Sequence, residues 1–259
     1  MAFVETRTAC FRYELEGPPS APVLLFSNSL GTDLRMWGPQ VAEFKQEFQV
    51  LRYDARGQGE STVSSGPYSI ELLAQDVVDL LDALRIPKVS FCGLSMGGMV
   101  GMMLALRFPQ RFHRLVLSNT APKIGTTDSW NTRIETVNAS GMQAVVDAIL
   151  ERWFTPAFRS AGNVQVEATR KMLLEAPPLG YVGCAAAVRD MDQREGIAAI
   201  RVPTLVISGA SDPGTPPADG RFLAGQIAGA EYVELPAAHL SNIEATTLFN
   251  KAVGQFLRV

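Results

Sequence analysis

Histidine is almost absent from this sequence: 2 of 259 residues, His113 and His239. An imidazole is the one side chain that ordinarily changes charge near neutral pH, so proton transfer of that kind has two candidates. Cysteine is nearly as sparse. The 3 thiols, Cys10, Cys92 and Cys184, are far apart and form no Cys-x-x-Cys pair. That argues against a disulfide framework and a thiolate zinc site, and it fits a reducing compartment. No other His/Cys/Asp grouping has metal-ligand spacing, so a metal site is not expected. Charged residues make up only 19% of the chain, the net charge is −3 and Lys/Arg blocks are missing. Nucleic acid is therefore an unexpected partner. No apolar run reaches the ~18 residues of a membrane span. The N-terminal stretch lacks a basic segment followed by an apolar one, so it does not read as a secretory leader and a cytoplasmic location is expected.

What the chain does have is a 47% apolar content, ordinary for a packed globule, at a length that suits one α/β unit of ~250 residues. Short apolar runs at 22–27, 48–53, 89–92, 114–118, 203–208 and 231–235 read as strands covered on both faces. Helical patterns lie between them. One spans 69–85, with Ser69 as its cap and Leu72, Leu73, Val77, Leu80, Leu81 and Leu84 at helical spacing. Others span 95–108 and 241–257. This alternation predicts an α/β fold, a mostly parallel twisted sheet with right-handed crossovers. The run 11–15 fits an antiparallel edge hairpin with the segment after it. The stretch 123–201 has no strand-like run. It carries helical patterns at 142–150 and 166–174, broken by Pro156, Pro177 and Pro178. It reads as a helical lid set between two parts of one core, 1–122 and 202–259.

The sharpest motif is Gly93-Leu94-Ser95-Met96-Gly97-Gly98, after an expected strand and before an expected helix. That is the context of a nucleophile elbow: a serine in a strained conformation on a tight turn, flanked by glycines because side chains there would collide. Serine at its ordinary pKa needs a base. His239 lies just past the last strand, at the same carboxyl edge of the sheet as Ser95. His113 precedes a strand and belongs to the opposite edge, where it reads as a surface residue. The base in turn needs an acid to hold its tautomer. Asp212 follows the strand at 203–208, and the order Ser95, Asp212, His239 is that of a Ser–acid–His hydrolase. Asp219 is the runner-up, with helix capping as its simpler explanation. The oxyanion of a tetrahedral intermediate would be held by the backbone N–H groups of Met96 and of Leu30, the latter in the loop after the first long strand. Asp54-Ala55-Arg56-Gly57-Gln58-Gly59 lacks the phosphate-loop pattern and reads as a structural turn.

These residues resemble the α/β-hydrolase superfamily over essentially the whole chain. Three stretches are similar to the 3-oxoadipate enol-lactonases of bacterial aromatic catabolism, the β-ketoadipate pathway. They are Ser27-Asn28-Ser29-Leu30-Gly31-Thr32-Asp33 with Trp37, Arg52-Tyr53-Asp54-Ala55-Arg56-Gly57-Gln58-Gly59, and Ala238-His239-Leu240-Ser241-Asn242-Ile243-Glu244. The first discriminates best, because most of the superfamily carries His-Gly where this chain has Asn28-Ser29. The second is shared widely. The resemblance implies a small anionic lactone as substrate, hydrolysed without a cofactor through an acyl-enzyme on Ser95. Its carboxylate arm calls for a cation, and arginine suits a carboxylate best. Of the lid arginines 133, 152, 159, 170, 189 and 194, Arg133 is the preferred anchor and the others read as solvated. Trp130 and Trp153 are candidates to line the pocket or to fill the lid's core. A broad carboxylesterase, a carbon–carbon bond hydrolase or a perhydrolase could use the same three residues, since a fold and a triad do not fix a substrate. A ligand sensor without turnover is the alternative of another class. The sequence also leaves room for a homo-oligomer.

Overall fold

A computed structural model describes residues 2–160 and 162–258. In chain order the elements are β1 (Ala2–Glu5), β2 (Cys10–Glu16), β3 (Val23–Ser27), α1 (Gly38–Phe44), β4 (Gln49–Tyr53), α2 (Ile70–Ala83), β5 (Val89–Leu94), α3 (Met96–Arg107) and β6 (Phe112–Ser118). They continue with α4 (Thr127–Ser140), α5 (Val146–Trp153), α6 (Val164–Glu175), α7 (Pro178–Asp190), β7 (Thr204–Gly209), α8 (Pro217–Gln226), β8 (Glu231–Leu235), α9 (Ser241–Glu244) and α10 (Thr246–Leu257). Among the described residues one sheet of 8 strands forms, in the order β1-β2-β4-β3-β5-β6-β7-β8. From β4 to β8 every neighbouring pair is parallel, and β1–β2 and β2–β4 are antiparallel.

The central strands are the apolar runs of the sequence. β5 and β7 are buried at every position, as strands covered on both faces must be. β8 differs. Only Leu235 is buried, and Glu234 reaches out to pair with Arg221 at 2.7 Å. It is an edge strand, and its charges suit an edge. The expected edge hairpin also takes a different form. β2 pairs with β1, which precedes it, and with β4 on its other side. β1 escapes a pattern reading because it has 4 residues, alternately half-buried and exposed, too few to establish a period.

Ser69 caps α2 as expected, its side chain accepting from Leu72 N. The helix expected over 241–257 is instead broken at Ala245, whose φ of −117° and ψ of 42° are not helical. Two side chains account for the break. Thr246 Oγ1 donates to the carbonyls of Asn242 and Ile243, and the Glu244 carboxylate accepts from Ala238 N and Thr155.

Between β6 and β7 the described residues are helical, with α4 to α7 and no strand. Thr126 and Ser129 form a capping box that opens α4. The helix expected over 142–150 starts as a 3₁₀ turn at Met142–Ala144 and becomes α5 at Val146. Pro178 does not break a helix. It opens α7 at the first position, where its missing N–H costs nothing. α7 lies hard against the core loop after β4: a Cβ on Gly180 would sit 1.9 Å from the Gly57 carbonyl. No helix among the described residues is long and apolar enough to cross a membrane.

Candidate active site

Ser95 sits between β5 and α3 with φ 57° and ψ −116°, a conformation that L-residues rarely adopt and that persists only when its surroundings enforce it. Ser95 N donates to Ser118 O at 2.9 Å, and Thr120 Oγ1 donates to Ser95 O at 2.7 Å. The glycines are required by space. A Cβ on Gly93 would lie 2.2 Å from Gly97 O, and one on Gly97 would lie 2.1 Å from Ser27 O.

Asp212 follows β7 and is fully enclosed. Its Oδ1 accepts from Gly214 N at 2.8 Å and Thr215 N at 3.1 Å. Its Oδ2 accepts from Thr215 Oγ1 at 2.6 Å and Asn119 Nδ2 at 3.0 Å, and lies 2.7 Å from His239 Nδ1. Burial alone would raise this carboxyl. The facing His239 and the hydrogen bonds from His239, Thr215 and Asn119 outweigh burial and hold it well below the usual carboxylate range. Asp212 is thus an acceptor that fixes the His239 tautomer, with Nδ1–H toward the acid and Nε2 left to accept. Asp219 lies in the first turn of α8 and makes no side-chain cap bond there. The capping explanation reduces to a carboxylate near a helix N-terminus.

His239 is 6% exposed. Trp153 stacks on its ring, and Leu240 N donates to Trp153 O at 3.1 Å. His113 is exposed near the start of β6, at the far edge of the sheet.

Two residues that the sequence reading passed over hold this arrangement. Asn119, with φ 45°, directs Nδ2 to both Asp212 Oδ2 and the Ala238 carbonyl, while Ser241 Oγ donates to its Oδ1 at 2.5 Å. It ties the acid loop to the histidine loop. Thr215 supplies two of the donors to Asp212. The available signal was position: Asn119 is the first residue past β6, at the carboxyl edge where functional loops gather.

The Leu30 and Met96 amides have no acceptor among the described residues. Leu30 follows β3 and Met96 opens α3, so both amides lie at the carboxyl edge of the sheet with Ser95. Asn28 faces away from them, its Nδ2 on Tyr53 O at 2.8 Å and its Oδ1 on Trp37 Nε1 at 2.9 Å. That pair locks the loop after β3 to the end of β4.

A cavity of about 150 Å³ opens over Ser95 and is lined by Leu30, Asp212 and His239 as well. The helical segment between β6 and β7 contributes Trp130, Arg133, Arg152 and Trp153 to its wall. Trp130 anchors its Nε1 on Ile124 O at 2.8 Å, and the Arg133 guanidinium lies 5.0 Å from the centre of its ring. Arg152, expected to be solvated, is indeed exposed, but it also lines the cavity. Partial burial there and the Arg133 charge lower its pKa. Met96 contributes no lining side chain. No metal-binding cluster of His, Cys, Asp or Glu occurs among the described residues.

The strained Ser95 turn, the Asp212–His239 pair and the Leu30 and Met96 amides thus gather at the carboxyl edge of the sheet. The profile of the α/β hydrolase fold matches residues 22–158, and the chain belongs to the α/β-hydrolase family. Within that family it is 42% identical, over 97% of its own length and 95% of the relative's, to 3-oxoadipate enol-lactonase 2 of Acinetobacter baylyi. The crystal structure of the enol-lactonase from Burkholderia xenovorans superimposes with a TM-score of 0.98 at 43% identity, covering 100% of both chains. A thermophilic esterase from Thermogutta terrifontis gives a TM-score of 0.92 at 28% identity, covering 99% of this chain and 97% of its own.

Proposed function

We propose that this chain is a 3-oxoadipate enol-lactonase, a carboxylic ester hydrolase that opens the lactone ring to give 3-oxoadipate. Ser95 Oγ attacks the lactone carbonyl while His239 Nε2 takes its proton. Asp212 holds the imidazole and stabilises its charged form. The Leu30 and Met96 amides receive the oxyanion. The bond from the carbonyl carbon to the ring oxygen breaks, and its electron pair leaves as an enolate, a better leaving group than an alkoxide. The His239 imidazolium protonates it, and the enol becomes the ketone. Water then attacks the acyl-enzyme with His239 again as base, which frees Ser95 and the second carboxylate.

The substrate class rests on one observation: Arg133 and Arg152 face the same cavity as Ser95. A neutral ester would not call for two guanidiniums, whereas the acetate arm of the lactone accepts bidentate pairing. In this reading the segment 123–201 is a lid over a core of 1–122 and 202–259, and the enzyme works in the cytoplasm, consistent with three free thiols. The test is to offer the enol-lactone, generated in situ, beside a panel of neutral esters, with Ser95→Ala as control. A kcat/KM for the lactone far above the panel is expected. Comparable values across the panel would make the protein a broad esterase, the reading that the Thermogutta similarity favours. Absence of serine-dependent turnover on every substrate would make it a sensor.

A further inference from the structure

Ser29 is 1% exposed, and its Oγ is one of the buried side-chain atoms without a hydrogen-bond partner among the described residues. The others belong to Arg12, Arg52, Gln58, Gln193 and Asn242, and none of those residues lines the cavity over Ser95, whereas Ser29 does. Its backbone cannot turn to satisfy it. On one side Asn28 is bonded to Tyr53 and Trp37. On the other, the Ser29 carbonyl already accepts from Thr32 N at 3.2 Å and Thr32 Oγ1 at 2.8 Å. A residue on the wall of the reacting serine's cavity thus carries a buried hydroxyl whose donor is unused.

Its neighbourhood follows from covalent geometry. Four bonds keep a serine Oγ within about 5 Å of the next residue's amide nitrogen, and the next residue is Leu30. A donor this close to the Leu30 N–H has the reach to share the acceptor that the amide would serve.

We propose that Ser29 is a further catalytic residue, its hydroxyl donating a third hydrogen bond to the oxyanion formed when Ser95 attacks. The bond is made to charge that exists only after attack, so it lowers the barrier and leaves ground-state binding little changed. This assignment rests on the acyl-transfer reading of the site, but not on the lactone being the substrate.

The experiment compares the full-length protein with Ser29→Ala and Ser29→Cys on the enol-lactone and on p-nitrophenyl acetate. Cysteine nearly keeps the volume and replaces a strong donor with a weak one, so it separates packing from hydrogen bonding and carries the comparison if the alanine variant does not fold. Both variants should lose about 100-fold in kcat with little change in KM. The Tm of Ser29→Ala should hold or rise, because a buried unpaired hydroxyl has been removed. A kcat within about twofold of the parent on both substrates, or an effect confined to KM, would overturn the proposal. So would full activity in Ser29→Cys. If the parent turns over the ester and not the lactone, the enol-lactonase reading fails while the role of Ser29 is still read on the ester.

Discussion

Trp153 stacks on His239, with ring centroids 6.0 Å apart and planes inclined by 27°. Trp153 ends α5 and His239 follows β8, so the proposed lid touches the proposed base directly. The Leu240 amide bonds the Trp153 carbonyl next to the stacked rings, which gives the imidazole a fixed plane. Such a stack contributes about 0.5–1.5 kcal/mol beyond the area it buries. Trp153→Ala should therefore cost more than packing. Stability should fall by about 3–5 kcal/mol, read by urea unfolding, and kcat should fall about tenfold. Trp153→Phe keeps a stackable ring and should recover most of kcat. Equal losses in the two variants would mean that the ring contact has no bearing on the base.

Arg133 and Arg152 should divide from the rest of the pocket by the charge of the substrate. A hydrogen bond to a charged group is worth about 1.5–3 kcal/mol, roughly 10- to 100-fold in binding. Alanine at either position should raise KM for the anionic lactone on that scale, with kcat for a neutral aryl acetate almost unchanged. The Arg133 change should be the larger. Arg133 is half-buried between Trp130 and Tyr181, whereas Arg152 is an exposed residue at the cavity. Parallel losses on charged and neutral substrates would remove the arginines from substrate recognition.

Residues whose role is local were legible before the fold was known. The apolar runs marked the inner strands, and Gly93 and Gly97 marked the elbow because a tight turn admits no side chain there. That Asp212 and His239 meet is legible because carboxyl-edge loops of a parallel sheet share one side. What escaped depends on packing between distant segments. Nothing near Asn119 in sequence announces that its side chain will join Asp212 to Ala238, the neighbour of His239, 93 and 119 residues away. Arg152 looked like any other charged helix residue, because which side of α5 faces the cavity is decided by how the helices dock. The break at Ala245 depends on Glu244 reaching Thr155, 89 residues earlier. Helical periodicity carries no information of that kind.

Gly97→Ala tests the link between the elbow and the oxyanion loop. The new Cβ would meet backbone, 2.1 Å from Ser27 O and 3.0 Å from Asn28 O, and backbone cannot swing aside as a side chain can. The end of β3 must shift, carrying the Leu30 amide with it. Stability should fall by about 1–3 kcal/mol and kcat by about 100-fold. Gly225 in α8 provides the control, since a Cβ there meets nothing within 4 Å. Gly225→Ala should leave kcat alone and stabilise by up to about 1 kcal/mol. Thermal unfolding and kcat on one ester decide the matter. An active, stable Gly97→Ala would show that the loop adapts.

Asp54 should make the protein less stable as pH rises through the weakly acidic range. It is fully enclosed after β4, where it accepts from Leu34 N at 2.8 Å and Glu60 N at 2.9 Å, with Arg12 Nη1 3.7 Å away. Burial is the largest influence and pushes its pKa from 3.8 up to about 6, although both amides and Arg12 pull the other way. Between about pH 4 and 6 the native state then binds a proton that the unfolded chain has released, so stability falls with rising pH and levels off above. The full difference is at most roughly 3 kcal/mol. Asp212 has the opposite sign. Its depressed carboxyl contributes stability above the ordinary carboxylate range and loses it only in stronger acid, outside this window. Asp76 and Asp219 are also raised by burial, so the wild-type slope alone does not isolate Asp54. The difference between wild type and Asp54→Asn does. Asparagine keeps one acceptor and cannot ionise, so its absolute stability will differ, but its contribution to the slope is gone. Urea unfolding of both proteins across this range should show the wild type losing ground to the variant as pH rises toward about 6. A stability difference that stays constant across the range would mean that Asp54 is already ionised at the acid end, held there by the two amides and Arg12.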